Sequence, residues 1–190
     1  MKKITLLLGV FLLFSAPAFA KKDAAWVVKK AKVENDPFEQ ATVYTFPTLN
    51  YRQMGGEVKQ FTGVGIMKSP YFNYFVKAKA KADKPTEYVI EVKNPRINLA
   101  GNKSFANYKK AVDNRGKELA FTPGEQFEPK SGDITRSTPE ESFSITLDEE
   151  YVKSHKDTGI VIKVYGESES PIFHISPWYI DGMLQAVNQK

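Results

Sequence analysis

A chain of 190 residues with 27 basic and 22 acidic side chains carries a formal charge of +5, well short of the excess that a nucleic-acid partner demands. It has no cysteine, which rules out a disulfide framework, a thiolate metal centre and a thiol nucleophile. No linker-like stretch, charge block or internal repeat divides it, so one domain is expected.

Met1-Lys2-Lys3, the apolar run Ile4–Phe14 and Ala18-Phe19-Ala20 have the layout of a cleavable export signal. A membrane-crossing helix needs roughly 20 apolar residues, and Ser15-Ala16-Pro17 interrupts this run early. We therefore expect residues 1–20 to be a signal peptide and residues 21–190 a single β-rich domain, not membrane-spanning after cleavage. The short lysine n-region is bacterial in style, and so points to the periplasm or the extracellular space. No cysteine follows the apolar run, which excludes lipid attachment there. Losing Lys2 and Lys3 leaves 25 basic against 22 acidic groups, +3. Without disulfides, stability must come from packing, and a domain of about 150 residues buries close to 70% of its unfolded surface.

Residues 21–36, lysine-rich around Trp26-Val27-Val28, are predicted as a first strand, and Asp36-Pro37-Phe38 as a turn. Thr42–Phe46 is a strand by its β-branched and aromatic content, closed by Pro47. Gly55-Gly56 marks a turn, and Phe61–Met67 a weak strand whose G-x-G lacks the third glycine of a nucleotide fingerprint. From Tyr71 to Lys81 apolar and polar residues alternate, which places Tyr71, Asn73, Phe75, Lys77, Lys79 and Lys81 on one strand face. Asp83–Thr86 turns the chain, and Tyr88, Ile90 and Val92 continue as the second arm of a hairpin.

Ala100-Gly101-Asn102 is a further turn, Phe105–Val112 is strand-like, and Asp113–Gly116 reverses the chain into Leu119-Ala120-Phe121. Residues 122–141 show no period and are predicted as a long surface loop with Phe127 tucked beneath it. The last fifty residues are the most regular. Phe143, Ile145 and Leu147 alternate with Ser142, Ser144 and Thr146, the signature of a strand with one buried face. A helical turn follows, with Thr146 and Glu149 as a capping box and Tyr151 on the face of Leu147. Ile160–Tyr165 and Ile172–Ile175 are strands, and Ser176-Pro177 opens a closing helix with an apolar stripe of Tyr179, Ile180, Met183, Leu184 and Val187. Gly182 within that stripe points to close contact with another backbone.

The order Asp36-Pro37-Phe38, Asn107-Tyr108, Asp113-Asn114-Arg115-Gly116, Glu141-Ser142-Phe143, Gly159–Gly166 and Pro177–Gly182 resembles a group of small exported bacterial β-rich proteins with no assigned function. The shared positions are turn and core residues. The resemblance implies one exported β domain and brings no activity with it.

No stretch spells out a catalytic, cofactor or metal motif. His155 and His174 are nineteen residues apart with no ligand spacing. No G-x-S-x-G surrounds a serine that would make Ser176, His174 and Asp181 a triad. The acidic pairs Glu140-Glu141, Asp148-Glu149-Glu150 and Glu167/Glu169 suit strand ends and a helix start better than a glycosidase cleft. Trp26 and Trp178 are expected in the core.

The face Tyr71, Asn73, Phe75, Lys77, Lys79, Lys81 is the best candidate surface. It suits an anionic envelope polymer, a lipid headgroup or a protein partner, or else serves as the charged guard of an edge strand. The expected fold is mainly β, an antiparallel sandwich (immunoglobulin-like or similar) of about seven to nine strands with two short helices near the C-terminus, a partly open barrel being the alternative. The expected role is non-catalytic binding or interaction in the bacterial periplasm or outside the cell, without a cofactor. The alternative is an envelope hydrolase whose carboxylates meet only in three dimensions.

Overall fold

A computed structural model describes residues 22–50, 73–95, 105–129, 139–167 and 170–189. The expected signal segment Met1–Ala20, Tyr71, the turns expected at Gly55-Gly56 and Ala100–Asn102, the strand expected at Phe61–Met67 and residues 130–138 lie outside the described residues.

In chain order the elements are α1 (Ala24–Lys30), β1 (Lys32–Asp36), β2 (Ala41–Thr45), β3 (Leu49–Asn50), β4 (Asn73–Lys81), β5 (Lys84–Pro95), β6 (Lys110–Asp113), β7 (Glu118–Phe127), β8 (Glu140–Leu147), α2 (Glu149–Ser154), β9 (Ile160–Tyr165), β10 (Ile172–Ile175) and α3 (Pro177–Asn188). The fold is mainly β. Nine strands follow one antiparallel path, β1-β2-β4-β5-β8-β7-β6-β9-β10, with the two-residue β3 paired beside β2 on β4.

Two features make this one curled sheet and not the two separate sheets of a sandwich. Strand β7 is shared: Glu118 and Leu119 pair with β6, and Ala120 onward with β8. The path also folds back on itself. The hydroxyl of Tyr74, on the third strand of the path, donates to the His174 carbonyl on the last (3.0 Å), and its ring meets Phe173 at 5.4 Å. The sheet is therefore a half-barrel.

Its concave face is the core. Tyr74, Val76 and Ala78 of β4, Tyr88, Ile90 and Val92 of β5, Phe143, Ile145 and Leu147 of β8, and Ile160, Ile162 and Val164 of β9 all point inward and are buried. Fully burying each large apolar side chain is worth about 1.5–3 kcal/mol, so the period-two pattern also fixes the register. Helix α3 lies across the concave side. The Tyr179 hydroxyl donates to the Pro47 carbonyl (2.9 Å), and its ring packs edge-on against Phe46.

Several local expectations are corrected. Trp26-Val27-Val28 belongs to α1, because Asp23 caps the segment through the Trp26 amide (2.9 Å) and Val27 is buried as a helical residue. Only Lys110–Asp113 of the 105–112 stretch pairs as a strand. Residues 122–127 continue β7; a register irregularity between Pro123 and Gln126 accommodates the proline and hides the period. The N-cap of α2 is Asp148, which accepts from the Tyr151 amide (2.6 Å), while Thr146 stays on β8. Ser176 and Pro177 do open α3, but the serine hydroxyl makes no capping bond. Trp26 and Trp178 sit half-buried against each other at the rim of the core (6.3 Å), and not inside it.

Candidate functional site

Asn73, Phe75, Lys77, Lys79 and Lys81 share the convex face of β4, as the alternation requires; Tyr71 lies outside the described residues. Strand β4 is interior, with β2 and β3 on one side and β5 on the other, so its lysines do not guard an edge. Their charges are met locally. Lys77 pairs with Glu91 (2.7 Å), two positions along β5 from its register partner Val89. Lys79 and Lys81 both reach Glu39, which projects from the β1–β2 turn. The hydrogen bond from Lys79, then that from Lys81, holds the Glu39 carboxyl below its ordinary range, and the same bond raises Lys79. Glu87 stands opposite Lys79 in the ladder.

This surface is therefore a lattice of alternating charge around Phe75, and the lysines do not form a single positive site. Val43 and Thr45 of β2, Val89 of β5 and Ser142, Ser144 and Thr146 of β8 extend it across neighbouring strands, all half-buried. None of the described helices packs on this side.

The buried groups suited to acid–base work are Glu141, Asp113, Tyr151 and His155; the two carboxylates are committed, while His155 Nε2 has no hydrogen-bond partner among the described residues. Glu141 is 3% exposed at the end of β8. Its carboxylate accepts from the amides of Ala106 (2.7 Å) and Tyr108 (3.3 Å) and from Gln126, pinning the 105–109 segment. Asn94, opposite it in the ladder, donates to the Tyr108 hydroxyl (3.0 Å).

Asp113 accepts from the amides of Arg115 and Lys117 (both 2.8 Å) and from the Tyr151 hydroxyl (3.0 Å). Burial pushes the Asp113 carboxyl up, but those donors outweigh it and leave it below the usual value. Burial first, then the bond to Asp113, raises the Tyr151 phenol. His155, 3% exposed, stacks on Tyr151 at 4.3 Å and turns Nδ1 toward the Tyr151 carbonyl (2.7 Å). That carbonyl can only accept, so Nδ1 carries the proton. The trio closes the core where the β6–β7 turn meets α2.

Three further acids are also engaged. Glu149 accepts from the Thr86 amide (2.7 Å) and pairs with Lys153. Glu167 holds Lys109 and Asn107. Asp181 holds Lys156 and Gln185, and the Ser176 hydroxyl has no hydrogen-bond partner among the described residues, so the triad of Ser176, His174 and Asp181 is not assembled. A depression of about 380 Å³ between α2 and α3 is lined by these paired Lys156 and Asp181 groups over Leu184. Among the described residues no group of three or more His, Asp or Glu side chains is placed to hold a metal, and no described helix is long and apolar enough to cross a membrane.

Sequence reasoning found the β4 face but not its acidic counterparts, Glu39 and Glu91. The hairpin register would have placed Glu91 beside Lys77; Glu39 depends on how the β1–β2 turn folds over. Comparison of the chain with protein-family models, with curated proteins and with solved structures gives no match in any of the three.

Proposed function

We propose that the chain is an exported, non-catalytic interaction protein of the bacterial envelope that meets another protein on the convex face of its half-barrel, centred on Asn73, Phe75, Lys77 and Lys79. One observation carries this. The convex face is built of half-buried aromatic, hydroxyl and mutually paired charged groups, with none of the described helices on it, whereas the carboxylates inside the domain are tied to backbone amides. A glycosidase needs two carboxylates free to face a substrate across a cleft. A surface of alternating charge around an aromatic matches a protein partner of mixed charge better than a polyanion, which would compete with Glu39 and Glu91 for the lysines.

The absence of cysteine allows a clean test. Asn73→Cys, placed on the convex face, is compared with Glu150→Cys on α2, using a thiol-specific crosslinker on cells expressing the exported protein. A discrete heavier species from the first position only is the expected result. Equal adducts from both positions, or none from Asn73→Cys, would overturn the proposal.

A further inference from the structure

Among the described residues strand β1 ends the sheet with no second strand paired to it, and all of Lys32, Val33, Glu34 and Asn35 are exposed, Val33 at 57%. Edge strands of this kind accept another strand unless something blocks them. Lys32 and Glu34 lie on the convex side, opposite Thr45 and Val43, and Val33 lies on the concave side beside buried Tyr44. Neither Lys32 nor Glu34 has an ion-pair partner among the described residues.

We propose that β1 joins two copies of this chain, strand to strand and antiparallel, about a two-fold axis at Val33. Charge complementarity selects the occupant and the register. With Val33 on the axis, Lys32 of each copy faces Glu34 of the other, twice by symmetry, and the two Val33 side chains meet at the centre. Asp36 then comes to the end of α1 in the second copy, where Lys29 and Lys30 are the basic residues of the last turn. Moving the axis to Lys32 or to Glu34 would set like charges directly opposite each other, which is destabilising. The interface is isologous and closes at two. It makes one sheet of two half-barrels with their convex faces on the same side.

The pairing does not depend on the convex-face partner. Asn73→Cys tests that reading without touching β1.

The test is sedimentation of the mature chain from about 10 μM to about 1 mM, the range in which so small an interface is populated. Wild type is expected to shift from monomer to dimer. Glu34→Lys should weaken the dimer roughly tenfold by replacing two attractive pairs with repulsive ones. Lys32→Glu combined with Glu34→Lys should restore it, because the swap is self-complementary. Since β1 side chains are exposed, both variants should melt like wild type. Val33→Cys should oxidise to a disulfide-linked dimer far faster than Asn35→Cys, whose counterpart in the second copy is Ala31. A wild type that stays monomeric to about 1 mM, a double variant no better than Glu34→Lys, or growth into long polymers through β10 at the other end of the described sheet, would each overturn the proposal.

Discussion

The Cβ that Gly182 lacks would stand 2.5 Å from Cβ of Val27 and 2.7 Å from the Ala24 carbonyl, so α3 and α1 meet backbone to backbone at this point. In a free helix Gly182→Ala would gain about 1 kcal/mol. Here the methyl meets a main-chain oxygen and a Cβ, neither of which can swing aside, and overpacking of this kind costs about 1–3 kcal/mol. Gly182→Ala should therefore lower the urea midpoint. A raised midpoint would show that α1 moves freely and is not clamped by α3.

Glu141 supports the 105–109 segment through two amides. Removing the acceptor leaves both buried, at about 1–3 kcal/mol each. Glu141→Ala should cost at least about 2 kcal/mol, and Glu141→Gln less, because one carbonyl oxygen survives. Hydrogen exchange checks the mechanism. The amides of Ala106 and Tyr108 should lose protection in the alanine variant ahead of the β4–β5 ladder; uniform loss across the domain would instead indicate a global defect.

Much of this arrangement is legible in period two. Carrying the alternation of Phe143, Ile145 and Leu147 back one step puts Glu141 on the core face, and carrying Tyr88, Ile90 and Val92 forward puts Asn94 beside it. What the pattern does not show is the partner of a buried carboxylate, because Ala106 and Tyr108 contribute backbone amides from an irregular segment. Helix α1 was also encoded: Ala24, Val27, Val28 and Ala31 recur at helical spacing behind a capping Asp23. The β-forming Trp26-Val27-Val28 outweighed that spacing on paper, and burial against Gly182 reverses the balance in the fold. The partly open barrel stood in the sequence only as the alternative to a sandwich, since the curl of the sheet rests on contacts such as Tyr74 with His174 that lie a hundred residues apart.

Acid sensitivity should pass through Glu149. The hydrogen bond from Lys153, then that from the Thr86 amide, holds its carboxyl below the ordinary value of 4.5. A folded-state pKa below the unfolded one means the stabilisation is complete above the unfolded value and fades as pH falls through the folded one. Glu149→Gln should therefore be less stable than wild type at about pH 7, and the gap should narrow as pH falls below 4.5 through the folded-state value. Denaturant midpoints across that range decide it; a constant gap would mean that the carboxylate charge contributes nothing.

Export predicts a defined mass. Protein recovered from the periplasm or medium should lack Met1–Ala20 and begin at Lys21. An uncleaved, membrane-bound species would remove the envelope setting on which the proposed partner depends.

The last prediction concerns Glu39, which answers both Lys79 and Lys81. If the three β4 lysines formed a positive site in wild type, the protein would bind a polyanion already, and removing Glu39 would change little. If Glu39 neutralises them, Glu39→Gln together with Glu91→Gln should uncover three ammonium groups on one strand face, each about 7 Å along the strand from the next and so within a Debye length of about 8 Å of its neighbour. The double variant should then elute from an immobilised polyanion at clearly higher salt than wild type. Its melting temperature should hardly move, because exposed, salt-screened ion pairs contribute little to stability. Reversing Lys79 in that background (Lys79→Glu) should return elution to the wild-type position. Tight wild-type retention, unchanged in the double variant, would mean the lysines act as a cationic site despite their carboxylates, and the partner on this face would then be anionic.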